Sequence, residues 1–101
     1  MTAHKASPQE RLQQAMRASD AEAIRACVSQ LHPVDLAEVC RDEMPYAALA
    51  LLSFLGAAAR AATFTELPPE RQRRLTELMT EEELGDLLES LAPGARADLF
   101  K

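Results

Sequence analysis

The sequence is poor in the residues that build β-sheets, disulfide frameworks and catalytic loops. Among 101 residues it has no tryptophan, one tyrosine, three phenylalanines, three glycines and two cysteines. A β-sandwich would need more tyrosine and β-branched side chains, so the composition favours helices. There is also no glycine-rich phosphate loop and no nucleophile elbow. We therefore expect an all-α protein that is not an enzyme.

Basic residues and metal-ligating patterns are also scarce. Eleven lysines and arginines face sixteen acids, giving a net charge of −5, which disfavours nucleic-acid binding. Cys27 and Cys40 lie among apolar neighbours without CxxC spacing, and this predicts two buried, reduced thiols. His4 and His32 have no second ligand at zinc spacing, so a zinc site is not expected.

The chain has no apolar run long enough to cross a membrane. Residues 44–59 carry no charge before Arg60, but they contain Pro45 and Gly56 and fall short of the roughly 20 apolar residues of a spanning helix. No apolar stretch follows the lysine near the N-terminus, so a signal peptide is not expected. We predict a flexible tail over residues 1–7, a single domain over residues 8–101 and no direct membrane insertion.

Helix starts are marked clearly along the sequence. Three pairs have the spacing of a capping box: Ser7 with Glu10, Ser19 with Glu22, and Thr80 with Glu83. Pro33 and Asp35 mark a further start, because proline fits the first helical position and an acid favours the positive end of the dipole. With the apolar periodicity, these signals predict helices over 8–18, 20–31, 33–43, 46–54, 57–66, 69–78, 81–90 and 93–100.

An apolar residue recurs about every twelve residues. These anchors are Leu31, Met44, Leu55, Leu67, Met79 and Leu91, and the residues eight positions after them are Val39, Leu52, Thr63, Leu75, Leu87 and Leu99. The period equals one helix and one turn. Because a helix this short is marginal alone, the pattern predicts a solenoid in which each helix packs on its neighbours. The apolar helices 46–54 and 57–64 are expected to be the most buried.

The stretch LHPVDLAEV, residues 31–39, carries a family resemblance. Together with RASDAEAIRACVSQ before it and ELPPERQRRL and LGDLLESLAPGARADLF after it, it resembles the cytoplasmic N-terminal domain of MgtE-type magnesium transporters. The similarity runs from about Leu12 to Phe100. It implies a right-handed superhelix of about eight short helices, with CBS domains and a transmembrane domain as partners, at the inner face of the bacterial cell membrane.

The resemblance also implies a regulatory function. In that family, Mg²⁺ bound between acidic surfaces of the N domain and the CBS domains keeps the pore closed, and loss of Mg²⁺ opens it. This chain has Gly94 and Ala95 where the family often has an acidic pair, which removes possible ligands. Because the sequence holds neither CBS domains nor membrane helices, it is either a fragment or a free-standing protein, and we expect it to be monomeric in isolation.

One helix offers a candidate magnesium half-site. Glu82, Asp86 and Glu89 fall together on the side opposite the apolar stripe of helix 81–90, whereas Glu83 is assigned to capping. Mg²⁺ takes one or two carboxylates from a surface and keeps several waters, so binding to the isolated domain would be weak. The alternative is an ordinary solvated acidic face.

Two other charged groups are weaker candidates. Glu38 and Asp42 lie four residues apart, with Arg41 beside them. Residues 71, 73 and 74 are arginines that could contact lipid headgroups or acids of a partner, or simply form a solvated helix face. The alternative function is therefore a helical scaffold that binds a protein without any metal, because the same superhelical fold is similar to parts of the flagellar motor switch.

Overall fold

The computed structural model describes residues 6–99, which form eight α-helices and no strand. The helices are α1 Pro8–Arg17, α2 Ala21–Val28, α3 Pro33–Asp42, α4 Pro45–Ser53, α5 Ala57–Thr65, α6 Pro69–Leu78, α7 Glu81–Ser90 and α8 Pro93–Leu99. The predicted all-α class is confirmed. The predicted tail over residues 1–7 lies mostly outside the described residues, as do His4 and Phe100.

The clearest difference in helix bounds concerns α2, which was predicted to reach residue 31 but ends at Val28. The hydroxyl of Ser29 donates a hydrogen bond to the Ala26 carbonyl at 2.7 Å. The Leu31 N–H then closes a tighter turn onto the Val28 carbonyl at 3.3 Å. Pro33 also keeps the residue before it out of the helical region, so the chain must leave the helix here.

Two of the predicted capping boxes are present. The Ser7 hydroxyl accepts a hydrogen bond from the Glu10 N–H at 3.1 Å, and the Glu10 carboxylate accepts one from the Ser7 N–H at 3.2 Å. Thr80 and Glu83 make the same exchange at 3.1 and 2.9 Å. At the start of α3 the Asp35 carboxylate accepts from the His32 N–H at 3.3 Å, which confirms its role at a helix start.

The third predicted capping box, between Ser19 and Glu22, is wrong by one residue. Asp20 is the N-cap of α2, and its carboxylate accepts from the Ala23 N–H at 3.2 Å. Ser19 instead ends α1 with a φ of 53°. Its N–H bonds to the Met16 carbonyl at 3.1 Å and the next N–H bonds to the Ala15 carbonyl at 3.0 Å. This is a Schellman C-cap, a position that favours glycine.

The helices are arranged in two rows. α3 packs on α5 and α5 on α7, while α4 packs on α6 and α6 on α8. The molecule is elongated, with extents of 53 × 21 × 20 Å. This arrangement is consistent with the predicted solenoid, whose right-handedness stays a prediction. Among residues 6–99 there is no helix with the length and apolar content that a bilayer crossing requires.

The first two helices belong to the same core as the rest. α1 packs on both α2 and α3, and Leu12 is completely buried in the main apolar cluster. The Arg25 guanidinium of α2 lies 5.4 Å from the centre of the Phe54 ring, which follows α4. Ile24 of α2 is buried in the same cluster. Helices α1 and α2 are thus continuous with the helical rows.

The position eight residues after each anchor marks the core. Its members within α3 to α7 are each at most 2% exposed: Val39, Leu52, Thr63, Leu75 and Leu87. The anchors are buried less regularly, and Met44 is 73% exposed. The difference follows from position, because the core residues lie inside helices and face neighbours, whereas the anchors lie in the turns between helices.

The expectation that α4 and α5 would be the most buried helices is only partly right. Ala48, Leu51 and Phe64 are buried as expected, but Tyr46 at the start of α4 is 69% exposed. Helix α3, with a more polar sequence, buries four residues, one more than α4. An apolar composition therefore did not by itself determine which helix is most buried.

We predict that Ser19→Gly stabilises the protein by about 0.5–1 kcal/mol. Glycine removes the cost of a side chain at positive φ, and its greater freedom in the unfolded chain offsets only part of that gain. Urea unfolding measures the change. Ser29→Gly is the control, because Ser29 has a φ of −67° and should lose stability. A destabilised Ser19→Gly variant would contradict the assignment of this cap.

We also predict that Thr63→Val raises the free energy of unfolding by about 1 kcal/mol. Thr63 is 0% exposed, and its hydroxyl has no hydrogen-bond partner among the described residues. Valine has nearly the same shape and removes an unpaired polar group. Thr65→Val is the control, because the Thr65 hydroxyl is bonded to the Ala61 carbonyl at 2.8 Å. Equal effects of the two substitutions would show that the buried hydroxyl is satisfied in solution.

Candidate functional site

Helix α7 carries most of the acidic groups that sequence analysis singled out. Its first turn contains three glutamates, where carboxylates interact favourably with the helix dipole. On its inner side Leu87 is buried and Leu84 is half-buried. Glu82, Asp86 and Glu89 are all exposed. The structure thus places the three predicted ligands on the outward side, as expected.

The three carboxylates do not share one site. Glu82 and Asp86 line a groove of about 240 Å³ that runs between α7 and the neighbouring helices, whereas Glu89 is not among its lining residues. Leu49, Leu52 and Met79 form the apolar part of this groove. We call it the acidic groove. Its two free carboxylates are Glu82 and Asp86, because the Glu83 carboxylate is engaged at the helix cap.

A basic residue that the sequence analysis missed also lines the acidic groove. Arg60 of α5 donates from Nε to the Leu52 carbonyl at 3.0 Å and from Nη2 to the Leu55 carbonyl at 2.9 Å. These bonds satisfy carbonyls at the end of α4, where a cation also suits the helix dipole. Arg60 is the one charged residue between Glu43 and Glu66. A single charge within such an apolar stretch is the sequence feature that could have indicated its structural role.

The donor chemistry of the acidic groove fits half of a magnesium site. Among residues 6–99, no cluster of three or more His, Cys, Asp or Glu side chains is placed to hold a metal ion. Two exposed carboxylates are the contribution that Mg²⁺ takes from one surface, and the remaining ligands would be waters and a facing surface. The half-site at Glu82, Asp86 and Glu89 therefore stays a prediction, with the first two better placed than the third.

In the second acidic candidate, Glu38 with Asp42, one of the two carboxylates is engaged within the fold. The Glu38 carboxylate accepts a hydrogen bond from the Gln9 side-chain amide at 2.8 Å, which links α3 to α1. Asp42 is the last residue of α3, close to the negative end of the dipole, and Arg41 precedes it. Because Glu38 is engaged in an interhelical hydrogen bond, this pair is a poorer cation site than the acidic groove.

The two cysteines have different surroundings. Cys40 is buried, and desolvation raises the pKa of its thiol to about 12, although the Arg71 charge partly opposes the shift. It is therefore protonated and inert at neutral pH. Cys27 is only half-buried, which corrects the prediction of two buried thiols. It lies at the edge of α2, beside the short turn after Val28.

The basic cluster of α6 is divided between the interior and the surface. Arg71 is half-buried, and its Nη2 donates to the Arg41 carbonyl at the end of α3 at 3.0 Å. Arg73 and Arg74 are exposed. Arg74 forms an ion pair with Glu77 at 3.3 Å on the same helix. The sequence predicted a local basic cluster, and the structure gives its members different surroundings.

The comparisons with known proteins identify one family. The family model described as MgtE intracellular N domain matches residues 31–101, more than half of the chain. The match begins at the LHPVDLAEV stretch and covers α3 to α8, so α1 and α2 precede it. Neither the curated proteins nor the solved structures include a significant match.

We predict that Arg60→Gln lowers the free energy of unfolding by about 1–3 kcal/mol. Glutamine cannot reproduce two hydrogen bonds from a charged group to carbonyls at the end of α4. Chemical denaturation gives the value, and Arg73→Gln, which removes an exposed arginine of α6, should change it by less than about 0.5 kcal/mol. An Arg60→Gln variant as stable as the Arg73→Gln control would show that the two bonds contribute nothing.

Proposed function

The chain belongs to the MgtE intracellular N domain family, and from this membership we propose that it senses Mg²⁺ for an MgtE-type magnesium transporter. The domain is regulatory and not catalytic. Its partners are the CBS domains and the transmembrane domain of that transporter, in the same chain or another. Its place is the cytoplasmic side of the bacterial cell membrane.

The observation that carries the proposal is the acidic groove. Two exposed carboxylates, those of Glu82 and Asp86, lie beside apolar side chains in a concave surface. Such a surface suits apposition to another domain, because the apolar part favours contact while the acids oppose it until their charge is neutralised. A surface with this balance responds to the concentration of a divalent cation.

The proposed mechanism is charge neutralisation at a domain interface. When an acidic surface of a CBS domain approaches the acidic groove, like charges repel each other by about 1 kcal/mol per pair at 4 Å in water, and by more as water leaves. The carboxylates of Glu82 and Asp86 would hold Mg²⁺ on this side of the interface, and its positive charge would offset the repulsion. The Arg60 guanidinium lowers the negative charge of the groove and so limits the repulsion that the cation must overcome.

Removing both groove carboxylates should uncouple the domain from Mg²⁺. In the complete transporter we expect Glu82→Gln with Asp86→Gln to abolish at least most of the Mg²⁺-dependent protection of the N domain from proteolysis. Glu89→Gln is the matched control, because Glu89 is exposed on the same helix but does not line the groove. It should leave the protection within about twofold of the original protein.

Two outcomes would overturn the proposal. If Mg²⁺ gives the original and the double variant the same protection, the acidic groove is not the sensing surface. If Mg²⁺ changes the protease sensitivity of neither, the domain is not a sensor, and the alternative of a helical scaffold that binds a protein without metal is favoured. Thermal unfolding first checks the stability of each variant. We expect it to be unchanged, since both substitutions lie on a solvated face.

A further inference from the structure

A second groove, of opposite charge, lies where α3 ends and α4 and α6 begin. It has a volume of about 450 Å³ and is lined by Arg41, Pro45, Pro68, Glu70, Arg71 and Arg74. We call it the arginine groove. Three guanidinium groups line it against one carboxylate, although the chain as a whole carries a charge of −5. The residues that line this groove thus carry a net positive charge, opposite in sign to that of the whole chain.

The donors of this groove are not fully used within the protein. Arg71 Nη2 donates to the Arg41 carbonyl at 3.0 Å, but Nη1 is shielded from solvent and has no hydrogen-bond partner among the described residues. Arg74 pairs with Glu77 at 3.3 Å, with both side chains more than half exposed at 55% and 58%. Such a pair is weak and exchanges readily with another anion. The exposed Arg74 guanidinium therefore has capacity for a further acceptor, whereas the shielded Arg71 Nη1 is not open to one in the groove as it stands.

The helix starts at this groove add to its positive potential. Met44 and Pro68, the N-caps of α4 and α6, provide no side-chain hydrogen bond to the first turn. At the starts of α1 and α7, by contrast, Ser7 and Thr80 fill that role. The first N–H groups of these helices, which follow Pro45 and Pro69, thus have no side-chain acceptor at the cap, and the positive ends of both dipoles favour an anion.

From these observations we propose that the arginine groove binds a phosphate-type oxyanion. A tetrahedral phosphate offers several oxygens, which can accept from guanidinium groups on α3 and α6 at the same time. Met44 and Tyr46, exposed at 73% and 69%, lie at the same helix start and can contact the organic part of a phosphate ester. The proposal does not depend on magnesium sensing, because it concerns a different groove with the opposite charge.

The first experiment uses inorganic phosphate and the 101-residue chain. We expect saturable changes in the amide spectra at residues 46–47 and 70–74, which sodium chloride at the same ionic strength does not produce. Arg41→Gln and Arg74→Gln should each weaken phosphate binding by roughly tenfold, as expected for the loss of a charged hydrogen-bond donor. Arg73→Gln is the matched control, since Arg73 is exposed on α6 but does not line the groove, and it should change the affinity by less than about twofold.

A second arm distinguishes the source of the phosphate group. Vesicles of phosphatidylglycerol and phosphatidylcholine are compared with vesicles of phosphatidylcholine alone by co-sedimentation. If the chain binds the anionic vesicles and Arg41→Gln and Arg74→Gln abolish that binding, the ligand of the groove is a lipid headgroup. If the chain binds phosphate but not the vesicles, the ligand is a soluble phosphate compound. Either result supports the proposal. Arg71 is left unchanged, because its bond to the Arg41 carbonyl contributes to packing.

Three results would overturn the proposal. The first is that neither phosphate nor anionic vesicles bind. The second is that sodium chloride reproduces the spectral changes, which means that only nonspecific screening takes place. The third is that an oligoglutamate peptide binds to the groove saturably while phosphate does not, which assigns the surface to an acidic protein segment. Thermal unfolding of each variant confirms beforehand that the fold is retained.

Discussion

The dependence of each short helix on its neighbours governs this structure. Its helices have seven to ten residues, too few for their own hydrogen bonds to offset the cost of nucleation. Each helix from α1 to α7 therefore buries at least one residue, and from α3 to α7 the twelve-residue period positions a residue that is at most 2% exposed. Burying a single leucine contributes about 1.5–3 kcal/mol, so the fold is stable only as an assembly of these contacts.

The same constraint determines where the charges and helix ends go. The apolar residues of the core are buried between the helices. Arginines of later helices donate hydrogen bonds to carbonyl groups at the ends of earlier helices: Arg60 to the end of α4 and Arg71 to the end of α3. Gln72 does the same for Phe64 at the end of α5, at 2.9 Å. Two grooves have linings that differ in charge, the acidic groove at α7 and the arginine groove at the start of α6.

Sequence signals within single helices, such as capping residues and apolar periodicity, allowed most helices to be predicted. The features that were not predicted depend on contacts between helices. The boxes at Ser7 and Thr80 act within one turn and could be identified from the sequence, but Ser19 has the same spacing and lies at positive φ, because α1 ends there. Thr63 is buried at a core position, although its polar side chain did not indicate burial. The outward face of α7 followed from periodicity. Glu89 does not line the acidic groove, whereas Arg60 of α5 does. Both features depend on how the helices pack, which no single segment of the sequence determines.

The central claim is that Mg²⁺ couples the acidic groove to a neighbouring domain. It is tested most directly by measuring the affinity of this chain for the CBS domains of an MgtE-type transporter, the proposed partner, with and without Mg²⁺ by calorimetry. The account predicts that Mg²⁺ tightens the complex by at least about tenfold, a coupling of about 1.4 kcal/mol. The same affinity in the presence and absence of Mg²⁺ would contradict it.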